Sequence, residues 1–555
     1  MFIINIFNNI INIFHMEFVP SDRYYSDFNF YKNNEIINLN KDKFNHKYFY
    51  KDLIDNDGKI ILNSKFRNVT IFGILIINGK TFGRNGKKIN YQFIPFNKLI
   101  PIFIIPYTEK REFHKLKINK YASCKFIHWK EKHPIGQLVE IIGDINSPSA
   151  FCEYQINCYE LKNSIKTFSD NSKKLISNKY INSENLIDCI NNHYSLQNRI
   201  SYDIISIDPT GCNDIDDAIG YQSNNNYNII SIYISNVPLI IDILNLWDFL
   251  KNKVSTIYLS DKKRHMIPKI FSEDICSLKE RKKRICMAMD IYIDNNTKCI
   301  SKINFQPCLI SLRKNYSYCD PSLNIDPLYY AITSSLSDNR SFQYNGNITD
   351  PHKVIEFFMI FMNKQLAKQL SNSHKLIYKR NSLNEKNYNN IPNDLKSFME
   401  GWGGSGSNYT FDQDKHYQID DSLYSQVTSP IRRIVDLYNM ILLNKYCNVR
   451  FINKPLTDEN IDIKNINEKI KYIKKIQTQD MLLNLCKDEK FLNKIHPGYI
   501  IEIKEKHYII YFSDIQKILK VKKSQNCNLY QKVKCKFYIF NYEFDINKKV
   551  RANLI

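Results

Sequence analysis

Residues 206–221 read SIDPTGCNDIDDAIGY. An apolar run, DIISI, leads into Asp208, and four carboxylates follow one another within ten residues: Asp208, Asp214, Asp216 and Asp217. Pro209 and Gly211 make the intervening stretch a turn, because proline presets its backbone and glycine opens conformations closed to other residues. Carboxylates crowded in this way repel one another, so the ionised set is favoured only where cations neutralise it. Hard oxygen ligands in that number suit magnesium or manganese. An EF-hand does not fit, since the twelfth residue counted from Asp208 is Ile219 and not a glutamate. The plain alternative is a solvated acidic turn. The apolar flanks DIISI and AIGY weigh against it, because unpaired charge among apolar side chains is costly.

Outward from this segment, residues 202–490 mix strands (DIISID, NIISIYIS, CMAMDIYID) with helices and read as one large α/β domain. The run PHKVIEFFMIFMNKQLAKQL opens with Asp350 and Pro351, a helix N-cap and first-turn pair, and its nearly continuous apolarity predicts burial. Upstream, short strands broken by glycine turns over 58–108, then YASCKFIHW and GQLVEIIGDI over 109–160, predict two small β-barrels of oligonucleotide-binding type, with a single irregular β domain as the alternative. Residues 1–57 are an N-terminal extension and 161–201 a polar linker with helical pieces. The pattern returns to short strands over 491–555, where residues 501–555 carry 12 Lys/Arg against 5 Asp/Glu, predicting a third barrel with a basic face. The fold class expected is therefore multidomain α+β.

The formal net charge of +22 makes a polyanion the leading class of partner, although a lysine-rich surface set by codon usage is the alternative. The 14 cysteines include no C-x-x-C pair, which excludes zinc ribbons and thioredoxin motifs and fits a reducing compartment. The opening MFIINIFNNIINIFHMEF lacks a basic n-region and a small-residue cleavage site, so neither a signal peptide nor a membrane span is expected, and Met16 is an alternative start.

The aspartate segment resembles the catalytic signature of the RNB domain of ribonuclease II and ribonuclease R, shared with the hydrolytic subunit of the exosome. Three further blocks stand in that family's order: STIYLSDKKRHMIPKIFSEDICSL with Tyr258, Met266 and Pro268; VIEFFMIFMN with Glu356, Met359 and Asn363; and YSQVTSPIRRIVDLYNM with Thr428 to Arg433 and Asp436. The flanking barrels resemble the cold-shock-like modules that precede an RNB domain and the basic barrel that follows it. The resemblance implies a 3′-to-5′ processive, hydrolytic exoribonuclease that degrades single-stranded RNA to nucleoside 5′-monophosphates with two magnesium ions (manganese as substitute). The alternative is a catalytically silent RNA-binding relative.

By the same resemblance Asp208, Asp214, Asp216 and Asp217 are metal ligands, with Asp216 and Arg432 catalytic. Arg432 would hold the scissile phosphate with its planar fork, and Arg433 would be structural. Tyr258 and Tyr318 would flank bases or the terminal phosphate, though in a chain with 37 tyrosines each is also a candidate core residue. Glu356 would meet a ribose hydroxyl, or else form a buried salt bridge. Ser429 has no plausible base nearby and reads as a turn residue. Ser235-Asn236, Asn381, Ile434 and Met440 depart from the family's usual residues, while all four aspartates and Arg432 are kept. A monomer in the cytoplasm, with the nucleus as alternative, no membrane role, accessory RNA-decay partners and no endonuclease domain complete the expectation.

Overall fold

The computed structural model describes residues 16–33, 35–37, 47–108, 117–161, 165–180, 182–339, 341–342, 344, 347–381, 391–401, 407–413, 415–416, 422–540 and 549–555; the segment before Met16 lies outside them. The chain forms two compact units, one from residues 1–162 with 475–555 and the other from residues 163–474.

In the first unit Met16–Pro20 is the central strand of a five-stranded antiparallel sheet that extends through Leu53–Ile54 to Ile60–Leu62 on one side and through Phe28–Lys32 to Glu35–Ile37 on the other. Alternate residues turn inward, so Met16, Phe18, Phe28, Phe30, Tyr48 and Ile54 make one small core. The described residues of the expected extension 1–57 thus contribute to an ordered sheet. A single closed barrel follows, made of Ile71–Asn85, Lys88–Pro95, Phe103–Tyr107, Lys120–His128 and Ile135–Asp144. The expected bounds of two barrels, 58–108 and 109–160, are corrected here: three strands of the first segment and two of the second build one barrel. Neither set could close alone, whereas pairing Ile71 with Cys124, and Ile135 with Ile104, removes the exposed edges. Gly73 permits that closure, because a Cβ there would lie 2.3 Å from the carbonyl oxygen of Ile94. The C-terminal module is an antiparallel sheet in the order Lys517–Lys522, His507–Phe512, His496–Ile503, Lys532–Ile539, Val550–Leu554.

The second unit is built on a seven-stranded mixed sheet. Its order is Gln197–Arg199, Ile300–Ser311, Lys283–Asp294, Tyr227–Ser235, Asp217–Ser223, Ile204–Asp208, Lys314–Ser317. Residues expected as a linker contribute its edge strand and two helices, Ile165–Lys179 and Ser183–Tyr194, because Phe168, Ile176, Leu186, Ile187 and Ile190 bury a stripe on each. The division at 474/475 falls inside the helix Ile463–Leu485, upstream of the expected bound at 490. Among the described residues no helix is long and apolar enough to cross a membrane.

One buried pair pins the far side of this sheet. Arg199 donates from Nη1 and Nη2 to Asp290 at 2.7 and 2.6 Å, and Ser231 donates to the same carboxylate at 2.6 Å. Asp290→Asn strands the guanidinium, so unfolding stability is expected to fall by about 3–5 kcal/mol. A urea-unfolding midpoint that barely moves would show that Arg199 finds other partners.

Candidate active site

The aspartate loop connects two antiparallel strands at the edge of the large sheet. Asp208 ends the strand Ile204–Asp208, and Asp217 begins the strand Asp217–Ser223. The strands pair at Ile204 with Gly220 and Ile205 with Ile219, and Asp208 and Asp217, at their facing ends, are close enough to repel. Gly211 turns the loop at φ +78°. The loop is then sewn to residues 276–278. Ser277 Oγ donates to the carbonyl of Asn213 at 2.7 Å, Ile215 N–H donates to Ser277 Oγ at 3.1 Å, and Leu278 N–H donates to the carbonyl of Ile215 at 3.0 Å.

The four carboxylates divide into two kinds. Asp214 is buried and accepts from Lys263 Nζ at 2.7 Å and from the Tyr258 hydroxyl at 2.9 Å. Burial pushes its pKa up, but these donors outweigh burial and hold it below the ordinary value. Asp216, also buried, accepts from the Ile431 N–H at 2.9 Å and from Arg432 Nε at 3.0 Å. Burial still raises it to about 7 against the pull of Arg432. Asp208 and Asp217 are half-buried; a bond from Ser206 and the charge of Arg432 pull Asp208 down, and Arg432 pulls Asp217 down. Asp208 rises to about 7 through burial and through Asp216 and Asp214; Asp217 rises to about 7 through burial and through Asp208. Asp208 Oδ2 is buried without a hydrogen-bond partner.

Arg432 sits in the turn 428–433 before the helix Ile434–Tyr446. Its Nη2 donates to Ser429 Oγ at 3.0 Å, which makes Ser429 a support for the arginine, and the Ser429 N–H donates to Asp436 at 2.9 Å. Burial lowers the Arg432 pKa and Asp216 more than restores it. The side chain keeps 44% of its surface exposed, so an anion can reach it. Arg433 turns the other way and donates to the fully buried Asp436 at 2.8 Å, the structural pairing expected of it.

Tyr258 lies at the site through Asp214. Tyr318 lies there too: its N–H donates to the carbonyl of Asp208 at 3.0 Å, and burial together with Asp217 and Asp208 raises its phenol. Glu356 is not brought into the cluster. It forms an exposed ion pair with Lys353 at 2.7 Å, so neither a buried salt bridge nor a reach toward the aspartates is present. On the same helix, Asn363 instead accepts from the Val427 N–H at 2.8 Å and so supports the chain entering the Arg432 turn. The departures Ser235 and Asn236 are internally satisfied. Ser235 donates to the carbonyl of Cys276 at 2.6 Å, and Asn236 and Asn444 donate to each other at 2.8 and 2.9 Å.

Sequence reading missed Lys263 and His352. Lys263 stood within the quoted block, but only the hairpin Ile257–Tyr258 with Lys263–Arg264 aims it at Asp214. His352 opens the helix Pro351–Leu370 and stacks on Tyr318 at 3.6 Å, a contact between residues far apart in sequence. Lys263→Met is expected to carry the Asp214 pKa from below to above its ordinary value, because burial then acts without its main counterweight. Carboxyl NMR titration reads the shift, and an unchanged pKa would mean that Tyr258 alone suffices.

Among the described residues no three His, Cys, Asp or Glu side chains gather closely enough to enclose an ion. Asp208 and Asp217 nevertheless fit a hard cation: burial and their mutual repulsion disfavour the ionised pair, which a cation would favour, and Asp208 Oδ2 has no donor. Magnesium commonly takes one or two carboxylates and completes its shell with water and substrate phosphate.

A carboxylate cluster at a strand end with an accessible arginine beside it is an arrangement suited to a phosphate ester. Residues 197–326 match the family model described as RNB domain. It is 32% identical over 126 residues to the exosome complex exonuclease dis3 of Schizosaccharomyces pombe, a match covering 22% of this chain and 13% of that protein. It is 27% identical over 313 residues to exoribonuclease 2 of a Buchnera aphidicola strain, covering 54% of this chain and 42% of that protein. The chain thus aligns with well under two thirds of these curated relatives. In fold it is similar to the ribonuclease R of Mycoplasma genitalium in complex with ribose-methylated single-stranded RNA. That likeness has a TM-score of 0.67 at 14% identity and covers 98% of this chain and 100% of that one. It is also similar to yeast Ssd1, described as a pseudonuclease, with a TM-score of 0.52 at 14% identity over 94% of this chain and 80% of that one. The fold class, small β modules around an RNB domain, is the one expected.

Proposed function

We propose that this chain is a divalent-cation-dependent exoribonuclease that hydrolyses single-stranded RNA from the 3′ end to nucleoside 5′-monophosphates, processively and as an intracellular monomer. The observation that carries the reading is the mutually repelling pair Asp208–Asp217 beside Arg432, within a chain whose relatives are named exonucleases. Asp208 and Asp217 would hold a cation, which when bound would supply Lewis acidity toward a phosphate oxygen and toward water. Arg432, fixed by Asp216 and Ser429, offers its exposed edge to the scissile phosphate and offsets charge as the transition state forms. Tyr258 and Tyr318 flank the carboxylates with rings that accept any base. A second cation, as a two-metal mechanism requires, would draw on Asp214 or Asp216 after each exchanges a protein donor.

The test is a time course on single-stranded RNA labelled at either end, with magnesium and with chelator. Magnesium-dependent release of monophosphates from the 3′ end supports the proposal. The second reading, an RNA-binding protein without catalysis, is favoured by the likeness to a pseudonuclease. Tight binding with no cleavage in either magnesium or manganese would establish it.

A further inference from the structure

Tyr318 is held beside the carboxylates by its main chain. It follows the strand Lys314–Ser317, whose parallel pairing with Ile204–Asp208 sets Ser317 opposite Asp208, and its N–H donates to the Asp208 carbonyl. The ring is held by less. Among the described residues its hydroxyl makes no hydrogen bond, and a tyrosine side chain without one has several staggered positions open to it. The ring contact that selects among them is His352. The centre of its imidazole lies 3.6 Å from the centre of the phenol ring, with the two planes only 17° from parallel. His352 is itself anchored: it stands in the first turn of the helix Pro351–Leu370, and its N–H donates to the side chain of the cap Asp350 at 3.0 Å. The imidazole is exposed, and among the described residues neither of its nitrogens makes a hydrogen bond. An exposed ring gains little from burial, so core packing does not account for its lying face to face with Tyr318. Tyr318 in turn borders Asp217 and Asp208.

On the reading that this site takes RNA, we infer that His352 is a positioning residue for the 3′ end. It fixes the Tyr318 ring beside Asp208 and Asp217, so that the terminal nucleotide meets one ring orientation and not several. Stacking tolerates any base, and for the same reason it supplies no hydrogen bond that would orient the tyrosine. A neighbouring ring can supply the orientation, because an aromatic pair prefers a defined geometry by about 2- to 12-fold in an equilibrium. A misdirected ring would seat the scissile phosphate out of line, which lowers kcat more than it weakens binding.

The full chain is tested with single-stranded RNA carrying 2-aminopurine at its 3′ end. In chelator, loss of fluorescence reports ordering of the terminal base; in magnesium, kcat is measured. His352→Ala is expected to lower kcat about fivefold, within the range set by an aromatic pair, and to weaken the quenching. Overall RNA affinity and melting temperature should stay near those of the parent. His352→Phe, which keeps a flat ring, should restore both readouts. In Tyr318→Leu, the further change His352→Ala should alter neither, because the two residues act as one unit. The role is overturned by His352→Ala matching the parent in both readouts, by His352→Phe as impaired as His352→Ala, or by an effect of His352→Ala that persists in Tyr318→Leu. Failure of the exoribonuclease reading looks different. An unmodified protein that quenches the probe but never cleaves is a silent RNA binder, and the fluorescence series alone then decides the role of His352. Neither quenching nor cleavage by the unmodified protein overturns both.

Discussion

Asp217→Asn is expected to lower kcat for RNA hydrolysis by about 10⁴-fold or more, the scale on which one member of a catalytic unit acts. RNA affinity in chelator should stay within about threefold, since the basic modules and not this carboxylate attract the polyanion. The same variant should be more stable than the parent at pH 8 without magnesium. The folded pKa of Asp217, about 7, lies above its ordinary 3.8, so the proton binds the folded state more tightly than the unfolded chain. Stability from this group is therefore full below about pH 4 and is lost as pH rises toward 7, by up to about 1.4 kcal/mol per pH unit per proton. Asp208 shares the direction and the window. In Asp217→Asn that decline should flatten, and magnesium should restore the parent at pH 8 by binding its folded, ionised form. Thermal melting from pH 5 to 8, with and without magnesium, reads all of this. An Asn variant that still hydrolyses RNA within tenfold of the parent would remove Asp217 from the proposed machinery.

Arg432→Lys should lose about 10²–10³ in kcat, the usual effect of deleting one preorganised donor at developing negative charge. Lysine keeps the charge but has no fork, so it cannot bond Asp216, Ser429 and a phosphate from one plane. KM should move little if the contact strengthens mainly in the transition state. A second readout separates this role from a structural one. Arg432 pulls the Asp216 pKa down, so weakening that contact should raise it and move the acidic limb of the pH–rate profile to higher pH. Full kcat with an unmoved profile in Arg432→Lys would assign the arginine to the fold alone.

Much of the site was legible because its chemistry is local. Asp208, Pro209, Gly211 and the three later aspartates lie in one short loop, and a strand ending at Asp208 follows from DIISI. Arg432 and Arg433 were told apart only by the resemblance, since either could pair with Asp436, and the structure pairs Arg433 with it. Glu356 was not legible. On a helix so rich in apolar residues a glutamate reads as buried, but Lys353 one turn earlier keeps it at the surface. The barrels failed for a related reason. Strand signals are read over a few residues, whereas closure depends on pairing Ile71 with Cys124, which no local pattern encodes.

By itself the sequence determined the loop that gathers the carboxylates, the strand-rich flanks and the basic C-terminal segment, because residue type, turn geometry and periodicity act over short spans. Only the tertiary structure decided how the four equivalent-looking aspartates differ. Lys263 and Tyr258 come from a distant hairpin to clamp Asp214, and the turn at Arg432 clamps Asp216. Asp208 and Asp217 are left to repel each other across adjacent strands. Desolvation and Coulomb interaction depend on distance in space and not along the chain, and that division could be set only by the fold.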